Sequence, residues 1–495
     1  MPHHFAPPAP LSQLSQLSRL SQYRPVVASL ALLTLLGAGR AQAEDLTGGD
    51  STLAPSSNNP DDASQDNPPG GRFGMNVVNQ VQLQGFIDLD ALIQNNYTDG
   101  DRQNSDHRGY GLLRAGLGAK VKIDERVTAV LQVGYYNALG GTAPSTLAPD
   151  TYPDNLEPTQ RRGDGQAVIN QAYMQLNQFF SFQQLELDAG RMPVSWYLRN
   201  GHGAFLYDSK AYDPAVTSWD GARAAYDVDS FTFRPYSYSL PDSSTLYGAI
   251  LDWEPPRSGS NRAFITTSVD LERNVVLRPV AADPTPDQGS RLMTYYAGAE
   301  FTFDQFDIYG EVATQRGSQS DGAQFDGWGG NAGMEYRANL QGGQQFVIGF
   351  KGDYLSGDSN AQDSRYHAFI NNWSGTDDTY IVESPKYGQL SHYVQGNLED
   401  LKGTMGMSFD DHNRVRLNAT AGYFRIPDPQ SGQSKNFGSE GDLTLVWQYT
   451  YSTTFNFFAA GFKPQAGFVA VAPAGVLHSS TNLVTLLGIN LLTTF

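Results

Sequence analysis

The chain contains no cysteine. A disulfide framework and thiolate metal sites are therefore excluded. Charged side chains are scarce, 17% of the total, where about a quarter is usual in a soluble domain. Basic ones are scarcer still: 33 Lys and Arg stand against 51 Asp and Glu, a formal net charge of -18. That balance leaves no basic footprint for nucleic acid. There are eight histidines and no HExxH, P-loop or GxSxG pattern, so no enzyme motif stands out. Beyond residue 43 no long apolar run occurs, which excludes a conventional helical membrane protein.

What is abundant points to strands. The 495 residues include 51 Gly, 26 Tyr and 26 Phe, a composition suited to many strands and turns. The length allows several soluble domains or one large barrel. At the N-terminus, Arg19 and Arg24 precede the apolar run "VVASLALLTLLGAG" (26–39), and "AQA" (41–43) follows. This order predicts a cleaved signal peptide over 1–43. Cleavage would remove three arginines and no acid, leaving 30 basic against 51 acidic side chains. The next segment, 44–76, is acidic and rich in Pro, Gly, Ser and Asn, and is read as a disordered leader.

From residue 77 the period becomes two. In "VQLQGFIDLDALIQ", Val81, Leu83, Ile87, Leu89, Ala91 and Ile93 share one parity, and Gln82, Gln84, Asp88, Asp90 and Gln94 the other. Successive side chains of a strand point to opposite faces, so one face is apolar and one polar. The same alternation recurs to the C-terminus. A soluble sandwich also alternates, but its strands average about five or six residues. The runs here are nine to fifteen residues, and a tilted strand needs about nine to eleven to cross a bilayer. Tight connections such as "IDERV" and "FDQFD" alternate with long ones at 138–165, 193–217, 272–290, 317–329, 356–390 and 425–438. Short turns on one side and long loops on the other characterise outer-membrane barrels. The reading is an all-β, closed antiparallel transmembrane β-barrel over 77–495, with about 18 strands from 79–97 to 481–495. It belongs in the outer membrane of a Gram-negative-type bacterium.

Pairs of aromatics near strand ends, Tyr135 with Tyr136, Phe179 with Phe180, Tyr295 with Tyr296 and Tyr449 with Tyr451, are expected in interfacial girdles. The final run "NLVTLLGINLLTTF" puts Leu483, Leu487, Ile489, Leu491 and Phe495 on one face. That is expected of a last strand that pairs with the first and closes the wall. A terminal Phe also resembles the signal read by barrel assembly machinery.

Charged residues of the polar parity are the candidate channel lining: Arg114, Lys120, Lys122, Arg223, Arg234, Lys351, Arg414 and Arg416, with Asp88, Asp90, Glu186, Asp188, Glu300, Glu311, Asp353 and Asp442. Rings of charge in a narrow pore set a selective potential, although most are expected to pair across neighbouring strands. An Arg surplus at a constriction would favour anions. His202, His392 and His412 read as solvated loop residues. "SGDSNAQDS" (356–364) offers oxygen ligands for calcium but reads first as a turn rich in Asp, Ser and Asn. No catalytic residue, metal site or cofactor is expected.

At "LELDAGRMPVSW" (185–196) and "SWDGARAAY" (218–226) the chain resembles the alginate-export family of outer-membrane barrels. "YLSGDS" (354–359) and "GSEGDLTLVWQY" (438–449) look like that family's later motifs. The resemblance implies an 18-stranded conduit lined by Arg and Lys and gated by loops. It places Arg191 and Arg223 at the two motif arginines and Asp220 at the motif aspartate. Arg191, however, has the parity of Leu185 and Leu187, and Trp219 stands where Phe is expected. The implied function is passive passage of a polar solute or an anionic polysaccharide or oligosaccharide. The alternative is a structural or adhesive surface barrel with a plugged lumen. Implied partners are outer-membrane lipid and lipopolysaccharide, the assembly machinery and periplasmic export components.

Overall fold

The structure is a computed structural model. It describes residues 81–96, 108–123, 125–139, 166–198, 202–208, 218–240, 244–256, 259, 261–275, 287–360, 363–371, 378–384, 387, 396–410, 413–471 and 482–495. The signal-peptide and leader readings (1–43 and 44–76), and His392 and His412, lie outside the described residues.

The elements run β1 (Val81–Asn95), β2 (Arg108–Lys122), β3 (Val127–Leu139), β4 (Gln166–Asn177), β5 (Leu185–Met192), β6 (Ser195–Tyr197), β7 (Gly203–Asp208), β8 (Trp219–Val228), β9 (Phe231–Ser239), β10 (Thr245–Trp253) and β11 (Arg262–Arg273). Then follow β12 (Arg291–Phe303), β13 (Phe306–Ser318), β14 (Gln324–Phe325), β15 (Trp328–Asn339), β16 (Gln345–Leu355), β17 (Arg365–Tyr366), β18 (Leu398–Ser408), β19 (Val415–Arg425), β20 (Asn436–Thr450), β21 (Thr453–Pro464), the short helix α1 (Ala466–Val471) and β22 (Val484–Thr494). β6 and β7 pair only with each other, and β14 with β17 forms a two-residue bridge. The other 18 strands among the described residues form one antiparallel wall. β22 pairs with β1 from Phe86↔Thr494 to Asn95↔Thr485, so the barrel is closed. Gly85 and Phe495 exchange both backbone hydrogen bonds, at 2.7 and 2.9 Å.

Alternation builds the wall as the period-two pattern requires. Leu83, Leu117, Leu131, Ile308, Val312, Phe350, Leu401, Leu487 and Ile489 are exposed on the outer face, whereas Asp88, Asp90, Asp188, Glu300, Glu311 and Asp353 are buried on the inner one. An apolar outer face and a polar inner one suit lipid outside and water inside. The 18 wall strands range from 8 residues in β5 to 15 in β1. Tight turns join β8 to β9 and β12 to β13, with Asp229 and Asp304 in the left-handed region at φ 52° and 51°, a conformation that Asp tolerates better than most residues. One bulge, opposite Gln132/Val133, turns both Asn170 and Gln171 inward.

Two expectations fail on the inner face. Of the adjacent aromatics, Tyr136 and Tyr296 point inward rather than into a girdle. Tyr136 is buried, and Tyr296 donates to Glu311 at 2.6 Å. Moreover, the inner face is not polar along its whole height. Near the long-loop ends the inward positions become apolar at Leu246, Leu292, Leu355, Leu398, Phe424, Phe462 and Leu486, all buried. This ring is where chain inserts and packs.

Candidate functional site

Two segments fold into the barrel and seat on that ring. The first is the β6–β7 hairpin. Val194, Leu198, Phe205, Leu206 and Tyr207 are buried. Trp196 contacts Tyr207 and Tyr236 with ring centroids 4.5 and 4.8 Å apart. At its tip His202 is 8% exposed and stacks on Tyr309 of β13, centroids 4.0 Å apart and rings 8° from parallel. His202 is thus not a solvated loop residue: the hairpin carries it onto the far wall. Burial pulls its pKa down to about 4, with the positive charge of Arg337 adding to the effect.

The second belongs to the segment between β16 and β18, and its parts that seat inside the barrel include Phe369, 378–384 and Tyr387. Glu440 of β20 accepts the backbone N–H groups of Ile381 and Val382 at 2.6 and 2.9 Å. Tyr380 stacks on Phe458 of β21, 4.5 Å between centroids, and its hydroxyl lies 3.0 Å from that of Thr444. Tyr387 reaches β1, donating to Asp90 at 3.0 Å, while Gln94 donates to the Tyr387 carbonyl at 3.0 Å. Phe205 and Phe369, 5.4 Å apart, join the two inserted segments.

At its base the second segment meets a charge cluster. Lys351 faces Lys402 across β16 and β18, and Asp353 faces Asp400 one step along. Asp378 receives Lys351 at 2.6 Å and Lys402 at 2.9 Å. Lys402 also reaches Glu383 at 2.6 Å and Asp353 at 2.7 Å. Burial raises Asp378, but the two ammonium groups outweigh it and hold the carboxyl well below its usual range. For Glu383 burial wins over Lys402 and pushes the pKa to about 7. Asp353, Glu383 and Asp400 lie close enough to share a cation, and the Lys402 ammonium bonds all three.

The nominated lining residues divide. Arg114, Arg223, Arg234 and Lys351 face inward, each against a carboxylate. Arg114 meets Asp88 at 3.1 Å and Arg223 meets Asp188 at 2.9 Å; Arg234 bonds Asp252. Arg223 and Arg234 keep side-chain exposures of 41% and 40%, so they border water inside the barrel. Lys120 and Arg416 also face inward. Three placements correct the sequence reading. Arg191 and Asp220 are partners at 2.6 Å, but they alternate with the buried Met192 and Trp219 and so stand on the outer face. Local parity had given this for Arg191; the motif match had not. Arg414 lies in the turn before β19, bonded to Asp410 at 3.1 Å. The inner wall therefore shows no arginine surplus among the described residues. Further inward carboxylates are held by neutral donors: Asp270 by Tyr236 and Ser268, and Glu311 by Tyr296 and Asn331.

The two motif glycines have a steric cause. Gly190 and Gly221 face one another across β5 and β8. Gly190 has φ +129°, and a Cβ there would lie 2.2 Å from the Ala172 carbonyl; one on Gly221 would lie 2.1 Å from the Ser237 carbonyl. In the 356–364 loop, Asp358 accepts the Asn360 N–H at 3.1 Å and Asp363 that of Arg365 at 2.8 Å. These are Asx turns, the simpler of the two readings of that stretch. Sequence missed the hairpin and the Asp378–Glu383 latch; aromatic and apolar density at 194–207 and 380–382 was the available signal.

No protein-family model matches the chain, and no curated protein sequence matches it. Solved structures do. Acinetobacter baumannii OccAB4 aligns with a TM-score of 0.53 and 13% identity over 84% of this chain and 98% of that one. OccAB1 of the same organism aligns at 0.53 and 7% over 84% and 96%, and OccAB2 at 0.52 and 9% over 85% and 99%. At such identity the likeness is one of fold: the chain is a closed, antiparallel, 18-stranded β-barrel, as its strand pairing shows.

Proposed function

We propose that the protein is an outer-membrane channel through which a small polar solute passes by diffusion. The observation that carries this reading is the barrel interior: Arg223 and Arg234 face inward, bonded to carboxylates, and are still open to water. The β6–β7 hairpin and the segment between β16 and β18 narrow the passage from the long-loop side. Selection then rests on the size of the gap and on the wall charges beside it. The finer reading, an alginate-like polyuronate or another anionic oligosaccharide, draws on the motif resemblance. It is weakened by pairing, since bases already bonded to wall carboxylates offer little free positive potential. A neutral or zwitterionic polar solute suits this wall better.

Purified protein in planar bilayers should give discrete conductance steps, smaller than expected for an unobstructed 18-stranded barrel. A sealed barrel with no current would sink the channel reading. The bonds from the second inserted segment to β1, β18, β20 and β21 favour one alternative, a structural or adhesive surface barrel with a filled lumen. Deletion of 378–390 separates the two. A channel should widen, whereas an adhesive barrel should lose partner binding and gain no selective current.

A further inference from the structure

Among the described residues, three cross-strand pairs of charged residues stand on the outer face at the long-loop rim. Arg191 faces Asp220 across β5 and β8, 2.6 Å apart. Glu399 faces Arg425 across β18 and β19, 3.3 Å apart. The third pair breaks the pattern: Arg273 faces Arg291 across β11 and β12. Like charges directly opposite each other destabilise a sheet.

Inside the barrel the chain answers such a pair. Lys351 faces Lys402, and Asp378 bonds both. Outside, no described carboxylate lies within ion-pair distance of Arg273 or Arg291; the Arg273 guanidinium rests 5.9 Å above the Tyr247 ring. Asp287, four residues before Arg291, instead accepts the Ser320 N–H at 2.9 Å. A third guanidinium stands diagonally to Arg291: Arg316 of β13, opposite Met293. Its carboxylate, Asp326 at 2.5 Å, is shared with Arg365 at 3.5 Å. The Arg273–Arg291 pair is thus a local positive excess on a chain whose total charge is negative.

Its height on the wall indicates what covers it. On the same outer face, toward the short turns, Val269, Tyr295 and Val312 are 48%, 42% and 54% exposed. These belong to the lipid belt, and Tyr295 is of the type that marks its edge. The guanidinium groups therefore lie where hydrocarbon gives way to headgroups, on the long-loop, outer-leaflet side.

We propose that Arg273 and Arg291, assisted by Arg316, bind the phosphate of an anionic outer-leaflet lipid, a phosphorylated glycolipid of the lipopolysaccharide type. A phosphate carries the charge that the arginine pair lacks and accepts forked N–H donation from two guanidinium groups at once. The acyl chains then run down over Tyr295 and Val312. A free phosphate has no such second contact, so the lipid is the occupant rather than the ion.

The test uses the full chain in non-ionic detergent, titrated with bisphosphorylated lipid A and followed by native mass spectrometry. Dephosphorylated lipid A, phosphatidylcholine and inorganic phosphate are the comparisons. Bisphosphorylated lipid A should bind the wild type, and the R273Q/R291Q double variant should bind it at least tenfold more weakly. R191Q, which removes a base already paired, should bind as the wild type does. Unfolding temperature supplies a second reading if the double variant assembles poorly. In lipid-free detergent R291Q should unfold at a higher temperature than the wild type, because a repulsion is gone. Added lipid A should reverse that order. Equal binding by the double variant and the wild type, displacement of lipid A by equimolar inorganic phosphate, or a lower unfolding temperature of R291Q without lipid would each overturn the proposal.

Discussion

Lys402, 1% exposed, donates to Glu383 across 2.6 Å and so ties wall strand β18 to a segment folded inside the barrel. The same ammonium also reaches Asp353, Asp378 and Asp400. One buried cation therefore holds two wall carboxylates and two inserted ones in place.

Lys402→Met should release the inserted segment. Removing one partner of a buried ion pair leaves uncompensated charge and costs roughly 3–5 kcal/mol. Asp353, Glu383 and Asp400 would face one another with no shared cation. We expect larger and noisier single-channel conductance and a lower unfolding temperature. Conductance equal to that of the wild type would show that Lys402 does not hold the constriction.

The two inserted segments should respond to pH in opposite directions. His202 has a pKa of about 4 when docked against Tyr309, and about 6.5 is usual for a free imidazole. A pKa lowered on docking contributes stability above 6.5 that is lost as pH falls through 4. With 1.36 kcal/mol per pKa unit, the full loss is about 3 kcal/mol. The charged groups around it are Arg337, Lys351, Asp307 and Asp378. Glu383 has the reverse sign. Its pKa is raised to about 7, so its contribution is full below the ordinary glutamate range and fades as pH rises through 7. Conductance recorded from pH 4 to pH 9 should have a minimum at about pH 5 to 6, where each segment still keeps part of its contribution. His202→Phe should flatten the acid limb and Glu383→Gln the alkaline one.

Neutralising Arg223 and Arg234 should make the channel more cation-selective. Each guanidinium offsets an almost fully buried carboxylate, Asp188 or Asp252. With glutamine at both positions the wall potential beside the water path turns negative. Roughly a two- to threefold rise in cation over anion permeability is expected from such focusing. Reversal potentials in a salt gradient measure it, and an unchanged value would place the solute path elsewhere.

Gly190→Ala should impair the wall at β5. The residue sits at φ +129°, and an added Cβ would meet the Ala172 carbonyl at 2.2 Å. A strained backbone of this kind costs on the order of 1–3 kcal/mol, before the clash is counted. Heat-modifiability on gels or thermal unfolding should show a less stable barrel. Ala189→Gly, at the neighbouring outward position, serves as the control.

The wall was legible from sequence because its signal is local. Side chains alternate along a strand whatever lies around them, and lipid on one side with water on the other stamps that alternation onto the residue types. The run from Val81 to Gln94 shows both faces with no knowledge of its neighbours. The strand reading of 18 segments rested on this and on turn chemistry, and closure of β22 on β1 followed from the same pattern.

The interior depended on tertiary structure, because its contacts join residues far apart in the chain. Tyr387 meets Asp90 across 297 positions, and His202 crosses the lumen to Tyr309. No local period encodes either contact. Parity showed that Leu246 and Phe462 could point inward; only the packed loops explain why apolar residues stand there. Parity likewise named Arg223 and Arg191, but the paired strands decided that Arg223 faces water inside and Arg191 faces outward beside Asp220. Local residue alternation therefore set a cylinder with two distinct faces. Folding of the loops into it, driven by burial of Phe205, Ile381 and Val382 and by the charge bonded to Lys402, decided what is left open.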